Sequence, residues 1–150
     1  MPHRRVRPKI ATMKAARLDV PTRDRCQLVE ITAAVGNAVR EAGLRDGAVL
    51  VYCPHTTAGI TVQENADPDV RRDLLLALEN AVPDTPARGS YRHAEGNSPA
   101  HVKASLLGAS QLVPVDQGEL QLGTWQGIYL CELDGPRTRH VLLRFLADSA

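Results

Sequence analysis

The sequence has few aromatic residues and almost no net charge. One Phe, one Trp and three Tyr among 150 residues offer few rings for stacking on bases, and the formal net charge is only +1. Proteins that bind nucleic acid usually need a basic surface, and those that bind single strands also need stacking rings. We therefore expect no nucleic-acid partner.

Long apolar runs are also missing. No uninterrupted apolar segment approaches the roughly 20 residues that a membrane-spanning helix requires. The basic start, MPHRRVRPKI, is not followed by the apolar stretch of a signal peptide. We expect no membrane partner and a cytoplasmic location, with residues 1–9 forming a solvated basic tail.

Cysteine is scarce, and its spacing excludes the common cysteine sites. Cys26, Cys53 and Cys131 are odd in number, far apart and contain no CxxC pair, so a disulfide framework or a cysteine-rich zinc site is not expected. Cys53 alternates with Val49 and Val51, which favours a small buried apolar role over that of a nucleophile.

Length and composition are those of one globular domain. The chain has 150 residues, of which 43% are hydrophobic and 23% charged, and a chain of this size can bury most of its unfolded surface. We predict a single domain over residues 1–150, without repeats or linkers.

Apolar and β-branched segments predict more strands than helices. The predicted strands are IATMKAARLDV, CQLVEIT, AVLVYC, GITVQE, QLVPV, GIYLCEL and HVLLRF. A turn over DGPR, from Asp134 to Arg137, connects the last two strands. Because many strands follow one another directly, the pattern favours an α+β domain with largely antiparallel sheets.

Three segments have the spacing or the end signals of helices. The first carries apolar residues at Ile31, Val35, Ala38 and Val39. The second begins after the capping residue Asp67, with Pro68 in its first turn. Its apolar stripe is Val70, Leu74, Ala77, Leu78 and Ala81. The third has Ser98 as its N-cap and Pro99 at the first helical position.

The segment YRHAEGNSPAHVKAS holds the densest group of side chains that could bind a metal ion or transfer a proton. With Ser98 as N-cap, His101 lies in the first helical turn, where the helix dipole disfavours protonation of an imidazole. His93, Glu95 and Asn97 precede that turn, and His55 follows an apolar strand. A metal site, an acid/base site and a polar loop all fit, and spacing alone favours three unconnected histidines.

Other polar residues have simpler interpretations. N-capping explains Asp67, and Trp125 is typical of a core or interface anchor. Arg137 and Arg139 flank a turn and are expected in solvent, although one guanidinium beside a site would grip a phosphate. His140 has no partner nearby in sequence, so we assign it a structural role.

Three long motifs stand in a fixed order: HTTAGITVQENADPDV, RHAEGNSPAHVKASLLGAS and LGTWQGIYLCELDGPR. Together they resemble the YjbQ-like family, which is known as a family of secondary thiamine-phosphate synthases. The resemblance covers nearly the whole chain beyond its first two dozen residues. It implies an α+β fold with a β-sandwich-like core, a homotrimer, and a histidine-lined metal site.

The resemblance also implies roles for individual residues. The metal ligands would be His55, His93 and His101. The catalytic residues would be Glu95, Asn97, Arg137 and Gln126. The cofactor-binding residues would be Thr56, Thr57 and Trp125. The ion would be divalent, zinc first, with nickel, iron or magnesium as alternatives, since imidazole ligands suit zinc, nickel or iron better than magnesium.

The implied activity joins a pyrimidine diphosphate to a thiazole phosphate, so a small phosphorylated molecule is the expected partner. No P-loop or other strong phosphate motif accompanies it. One alternative is a metal-dependent hydrolase of an ester or phosphoester, in which Glu95 moves a proton of an activated water. Another is a small-molecule-binding trimer without turnover, whose site orders the subunit interface.

Overall fold

A computed structural model describes residues 15–149, which form one α+β domain of eight strands and three helices. The strands are β1 Ala15–Pro21, β2 Gln27–Glu30, β3 Gly47–Tyr52, β4 Ala58–Glu64, β5 Ser110–Asp116, β6 Glu119–Leu120, β7 Gln126–Glu132 and β8 Thr138–Ala147. The helices are α1 Thr32–Glu41, α2 Pro68–Ala81 and α3 Ser98–Leu107. The predicted fold class is confirmed, while the predicted tail over residues 1–9 lies outside the described residues.

All strand pairs are antiparallel, and they form two sheets. The larger sheet has the order β1-β8-β3-β5-β6, and the smaller one has the order β2-β7-β4. Along β8, Val141, Leu143 and Phe145 alternate with exposed residues and point into the main core. Because side chains of a strand alternate between two faces, this period packs the larger sheet against the smaller one.

Helix α1 contributes to the same core. Its residues Val35 and Val39 are fully buried there, as their helical spacing predicts. The hydroxyl of Thr32 accepts a hydrogen bond of 2.8 Å from the backbone N–H of Ile128, which ties the helix to β7. Gly43, with φ of 69°, follows the helix as expected.

Helices α2 and α3 contribute to a second apolar layer on the outer side of the smaller sheet. Tyr129 and Cys131 on β7 pack there against Leu74, Leu75 and Leu107. Strand β7 is therefore buried on both faces. The stripe predicted for α2 is partly wrong, since Ala77 and Ala81 are exposed while Leu75 is half-buried.

The ends of α2 and α3 agree with their sequence signals to within one residue. Asp67 caps α2 by accepting from the backbone N–H of Asp69 at 2.9 Å. Helix α3 has Asn97 rather than Ser98 as its N-cap, so His101 lies one position further into the helix than predicted. The short strand β6, which follows a turn at Gln117 and Gly118, was not predicted.

Helix α3 lies unusually close to β4. A Cβ added at Gly59 would lie 2.7 Å from the carbonyl oxygen of Gly108 and 3.3 Å from Cβ of Leu107. Only a glycine permits this approach without a shift of backbone. The approach sets the position of α3, and with it the position of His101.

Among residues 15–149, no helix has the length and apolar content needed to cross a bilayer. Cys53 and Cys131 are buried free thiols, which confirms the apolar role expected for Cys53.

Candidate functional site

A polar cleft of about 320 Å³ lies where three segments meet: the residues after β3, the loop before α3, and the turn between β7 and β8. Its lining residues are Pro54, His55, Thr56, Thr57, Glu95, Asn97, His101, Asp134, Arg137 and Arg139. We call this set the polar cleft. Ionisable and amide side chains form most of its wall, so it suits a hydrophilic ligand.

The loop before α3 brings two histidines and a carboxylate together. A turn in which the N–H of Gly96 donates to the carbonyl of His93 at 3.1 Å closes the loop, and Gly96 takes φ of 71°. The Nε2 atom of His93 lies 3.6 Å from a carboxylate oxygen of Glu95. The rings of His93 and His101 meet edge to face with 5.2 Å between centroids. This arrangement places two imidazole rings and a carboxylate next to one another beside the cleft.

Asn97 is held by its amide nitrogen, which donates to Oδ2 of Asp134 at 2.9 Å. Its side chain makes no capping bond to α3, although Asn97 is the N-cap residue. The Oδ1 atom of Asn97 is buried and has no hydrogen-bond partner within the described part of the chain. Buried acceptors are nearly always satisfied, so this atom marks a place for a donor.

A backbone hydrogen bond fixes the tautomer of His55. The N–H of His140 donates to Nε2 of His55 at 2.8 Å. A backbone N–H can only donate, so Nε2 must be unprotonated and the neutral ring carries its hydrogen on Nδ1. Burial, together with the charges of Arg139 and His140, lowers the pKa of His55 below its ordinary value.

The ring of His140 has a partner distant in sequence. Its Nδ1 atom lies 2.8 Å from Oδ1 of Asp19 across the β1–β8 pair. His140 therefore orients His55 through its backbone and is itself held by a carboxylate, in agreement with a structural role.

A buried ion pair supports the cleft from behind. Glu132 and Arg139 are 0% and 2% exposed, and the guanidinium binds both carboxylate oxygens. Burial by itself would raise the pKa of Glu132. Hydrogen bonds from Arg139, the backbone of Asp134 and Thr22 outweigh burial and hold this pKa below its ordinary value.

Thr57 and Arg137 are partly engaged in this framework. The hydroxyl of Thr57 accepts from Arg139 at 2.8 Å. Arg137 donates through Nε and Nη2 to the carbonyl of Asp134 and through Nη2 to its carboxylate. The guanidinium of Arg137 is half-exposed, and its Nη1 atom has no hydrogen-bond partner among residues 15–149.

The structure brings together most of the residues singled out by sequence. The polar cleft contains His55, Thr56, Thr57, Glu95, Asn97, His101 and Arg137. His93 contacts His101 beside it. Trp125 and Gln126 do not belong to this group, because they line a separate groove with Gln63 and Glu64. Trp125 is 64% exposed, so it is no core residue in the single chain.

Sequence reasoning missed Glu132 and Asp134, and it wrongly placed Arg139 in solvent. The signal was present in β8, where Arg139, Val141 and Leu143 are every second residue and therefore lie on the same face of the strand. A residue that shares a strand face with buried core residues points inward, whatever its charge.

Known proteins of similar sequence span most of this chain. UPF0047 protein YugU of Bacillus subtilis is 50% identical over 129 residues, which cover 86% of this chain and 96% of that protein. A UPF0047 protein of Methanocaldococcus jannaschii is 43% identical and covers 86% of this chain and 91% of its own length.

Solved structures agree with this relationship. A YbjQ-like protein of unknown function from Sulfolobus solfataricus has a TM-score of 0.85 and 32% identity, with 91% of this chain and 99% of that chain covered. An uncharacterised protein of the yjbq/upf0047 family from Clostridium acetobutylicum has a TM-score of 0.81 and 52% identity, with 85% and 97% covered.

The predicted function, a metal-binding enzyme resembling thiamine-phosphate synthases, is wrong. The relatives carry names without an activity, and the structural neighbour is of unknown function. Within residues 15–149, no three His, Cys, Asp or Glu side chains are grouped so that they could hold one ion. The two alternatives that require such a ligand group, a metal-dependent hydrolase and a trimer ordered by a metal site, are therefore wrong as well.

Individual parts of the prediction are not decided by these findings. A divalent cation, with His55, His93 and His101 as its ligands, stays a prediction, although Nε2 of His55 already accepts a backbone bond. The homotrimer and the cytoplasmic location also stay predictions.

The family assignment rests on nearly the full length of the domain. The family profile described as "UPF0047 protein YjbQ-like" matches residues 16–148. Together with relatives up to 50% identical, this match shows that the chain belongs to the YjbQ-like UPF0047 family.

Proposed function

We propose that the polar cleft binds a small molecule that carries both an anionic group and a hydroxyl group, such as a phosphorylated polyol. The unpaired, buried Oδ1 of Asn97 carries this proposal. A buried acceptor without a donor costs about 1–3 kcal/mol. A ligand hydroxyl that donates to Oδ1 recovers this cost, which favours binding of a hydroxylated molecule.

The hydrogen-bond donors left in the cleft favour an anion. Asp134 is paired with Asn97 and Arg137, and the carboxylate of Glu95 is 73% exposed, with Nε2 of His93 at 3.6 Å. The free donors are Nη1 of Arg137 and, in its fixed tautomer, Nδ1 of His55. A guanidinium and a ring N–H suit the oxygens of a phosphate or a carboxylate.

Isothermal titration calorimetry with three probes tests both halves of the proposal. Glycerol 3-phosphate has the anion and the hydroxyls, methyl phosphate has only the anion, and glycerol has only the hydroxyls. We expect glycerol 3-phosphate to bind about tenfold more tightly than methyl phosphate, which corresponds to one hydrogen bond of about 1.4 kcal/mol. Glycerol alone should not bind measurably.

Two variants assign these energies to residues. Asn97→Ser should bring glycerol 3-phosphate close to methyl phosphate in affinity, while Arg137→Met should weaken both phosphates. The matched control is Arg72→Met, since Arg72 is also an exposed arginine paired with a neighbouring aspartate, and it should change nothing. Equal affinity of both phosphates for the unmodified protein, or no binding at millimolar concentration, would contradict the proposal.

Self-association is a separate part of the proposed function. Tyr52 and Leu142 are cross-strand partners on the outer face of the larger sheet, where Leu112 and Leu146 are also exposed. A contiguous apolar face is typical of a protein interface. Light scattering should give three times the chain mass of 16.3 kDa if the predicted homotrimer forms, and Leu142→Lys should lower that mass. A monomer in the unmodified protein would contradict it.

A further inference from the structure

A groove of about 350 Å³ lies at the start of β7, beside the end of β4. Its lining residues are Gln63, Glu64, Trp125 and Gln126. We call this set the tryptophan groove. It shares no lining residue with the polar cleft, and its volume falls within the range of roughly 300–1,000 Å³ for pockets that take small molecules.

The fold uses the backbone of Trp125 but not its side chain. The carbonyl oxygen of Trp125 accepts from the N–H of Asn65 at 2.9 Å, and a bond of 3.0 Å from the N–H of Gln126 to the carbonyl of Gly123 closes the turn. Any residue could supply the carbonyl at position 125. The indole is 64% exposed and joins none of the apolar clusters of residues 15–149. It therefore offers an aromatic face to a ligand.

Three polar side chains around the indole retain hydrogen-bonding atoms for a ligand. The amide oxygen of Gln63 accepts from the N–H of Glu64 at 2.9 Å, and the amide oxygen of Gln126 accepts from the N–H of Gly123 at 2.8 Å. The Nε2 atoms of both amides, and the carboxylate of the half-exposed Glu64, have no hydrogen-bond or ion-pair partner within the described part of the chain. The groove thus combines an aromatic face with two amide donors and a carboxylate acceptor.

We propose that the tryptophan groove binds a neutral sugar in its pyranose form. The faces of a pyranose with equatorial hydroxyls carry C–H bonds, which suit the negative face of an aromatic ring. Each hydroxyl both donates and accepts, so the rim of the sugar can donate to Glu64 and accept from Gln63 and Gln126. A cation would also suit Trp125 and Glu64, but it would leave both amide donors unmatched. The mixture of donors and acceptors therefore favours a sugar.

Titration of the full chain with methyl β-D-glucopyranoside tests the proposal. Trp125 is the only tryptophan of the chain, so the indole N–H signal in a ¹H–¹⁵N spectrum reports on the groove alone. We expect a saturable shift of this signal, with a dissociation constant in the millimolar range. Glycerol has hydroxyls without a ring face, and tetramethylammonium has a charge without hydroxyls. Both should bind more weakly than the glucoside.

Three variants assign the affinity to side chains, with calorimetry as the readout. Trp125→Leu changes an exposed side chain, so circular dichroism should show an intact fold while glucoside binding is lost. Glu64→Gln keeps the shape of the side chain and should weaken binding about tenfold, since hydrogen bonds to a charged group are the stronger ones. Gln126→Met removes an amide donor and should weaken binding several-fold.

Gln27→Met is the matched control for Gln126→Met. The amide oxygen of Gln27 also accepts from a backbone N–H, that of Arg23, at 2.9 Å. Gln27 pairs with Glu132 at the other end of β7, so its loss should leave glucoside binding unchanged.

Several results would overturn the proposal. Absence of a saturable indole shift at tens of millimolar glucoside, or unchanged binding in Trp125→Leu, would show that the groove takes no sugar. Glycerol that binds as tightly as the glucoside would remove the role of the ring. Tighter binding of tetramethylammonium would make the groove a cation site. An indole signal that shifts with protein concentration alone would assign the groove to contact with a second copy of the chain.

Discussion

Two groups of charged and amide side chains are neighbours at the β7–β8 turn, and they differ in how fully they are paired. The first, Glu132 with Arg139, is buried, and its carboxylate accepts five hydrogen bonds from side chains and backbone. The second, on the loop before α3, contains Glu95 and Asn97, and it leaves Oδ1 of Asn97 without a donor.

This difference distinguishes a group that stabilises the fold from a group that binds a ligand. The carboxylate of this buried ion pair is fully hydrogen-bonded without a ligand, and loss of its partner leaves an unpaired charge in the interior. A group with one unsatisfied buried acceptor gains a hydrogen bond only when something binds. We therefore expect mutations in the first group to change the free energy of unfolding, and mutations in the second to change ligand affinity.

The largest effect should come from Arg139→Met. Loss of the guanidinium leaves Glu132 charged and buried, and it also removes the donor to Thr57. Breaking one partner of a buried pair typically costs about 3–5 kcal/mol. Urea unfolding followed by circular dichroism measures this loss.

Arg137→Met is the matched control for that measurement. Its guanidinium is half-exposed and pairs with Asp134 near the surface, where an ion pair contributes about 0–1 kcal/mol. If Arg137→Met destabilised the domain as much as Arg139→Met, the contrast between the two groups would be wrong.

The next largest effect should come from Gly59→Ala. The added Cβ would meet the carbonyl oxygen of Gly108 at 2.7 Å, so α3 must move away from β4. Overpacking of this kind costs about 1–3 kcal/mol, and it also displaces His101 from the polar cleft. Urea unfolding gives the cost, and a shifted His101 ring resonance gives the displacement. Gly123→Ala is the control, since its Cβ would meet only the flexible Gln126 side chain, at 3.3 Å.

The sequence was sufficient for most of the fold because its signals are local. Apolar and β-branched segments predict β3, β5, β7 and β8, and the Asp67–Pro68 pair predicts the start of α2. The missed strand β6 has only two residues, too few for any period to show. The error at Ala77 and Ala81 arose because α2 lies on the outside of the smaller sheet, where the covered stripe is narrow.

The site was predictable only in part, since its contacts are distant in sequence. The polar cleft joins Thr57, Asn97 and Asp134, which come from three segments that no local pattern connects. The resemblance also grouped Trp125 and Gln126 with the histidines, whereas they lie at the start of β7 and Glu132 lies at its end. Pairing of buried atoms, such as the accepted bond at Nε2 of His55, appears only in three dimensions.

A smaller effect concerns the protonation of His55. Burial, Arg139 and His140 lower its pKa below the ordinary value of 6.5, so the unfolded chain takes up a proton before the folded one does. The contribution of His55 to stability is then complete above pH 6.5 and is lost as the pH falls through the folded pKa. Ring ¹⁵N shifts should show an unprotonated Nε2 at pH 7, and His55→Gln should flatten the pH dependence of the melting temperature. Protonation of His55 above pH 6.5 would contradict both expectations.

The smallest effect on stability should come from Asn97→Ser, and it decides what the unpaired acceptor is for. The substitution removes the orphan Oδ1 together with the bond from the amide to Asp134. Loss of an unsatisfied buried acceptor relieves a cost of about 1–3 kcal/mol, while loss of the bond costs about 0.5–1.5 kcal/mol, so the two changes nearly cancel in the free protein. With a hydroxylated phosphate bound, Oδ1 is satisfied, no cost is relieved, and the substitution lowers affinity. Urea unfolding with and without glycerol 3-phosphate therefore separates the two roles. A loss of stability that is equal in both conditions would assign Asn97 to the framework with Glu132 and Arg139. A loss confined to the ligand-bound state assigns Asn97 to ligand recognition.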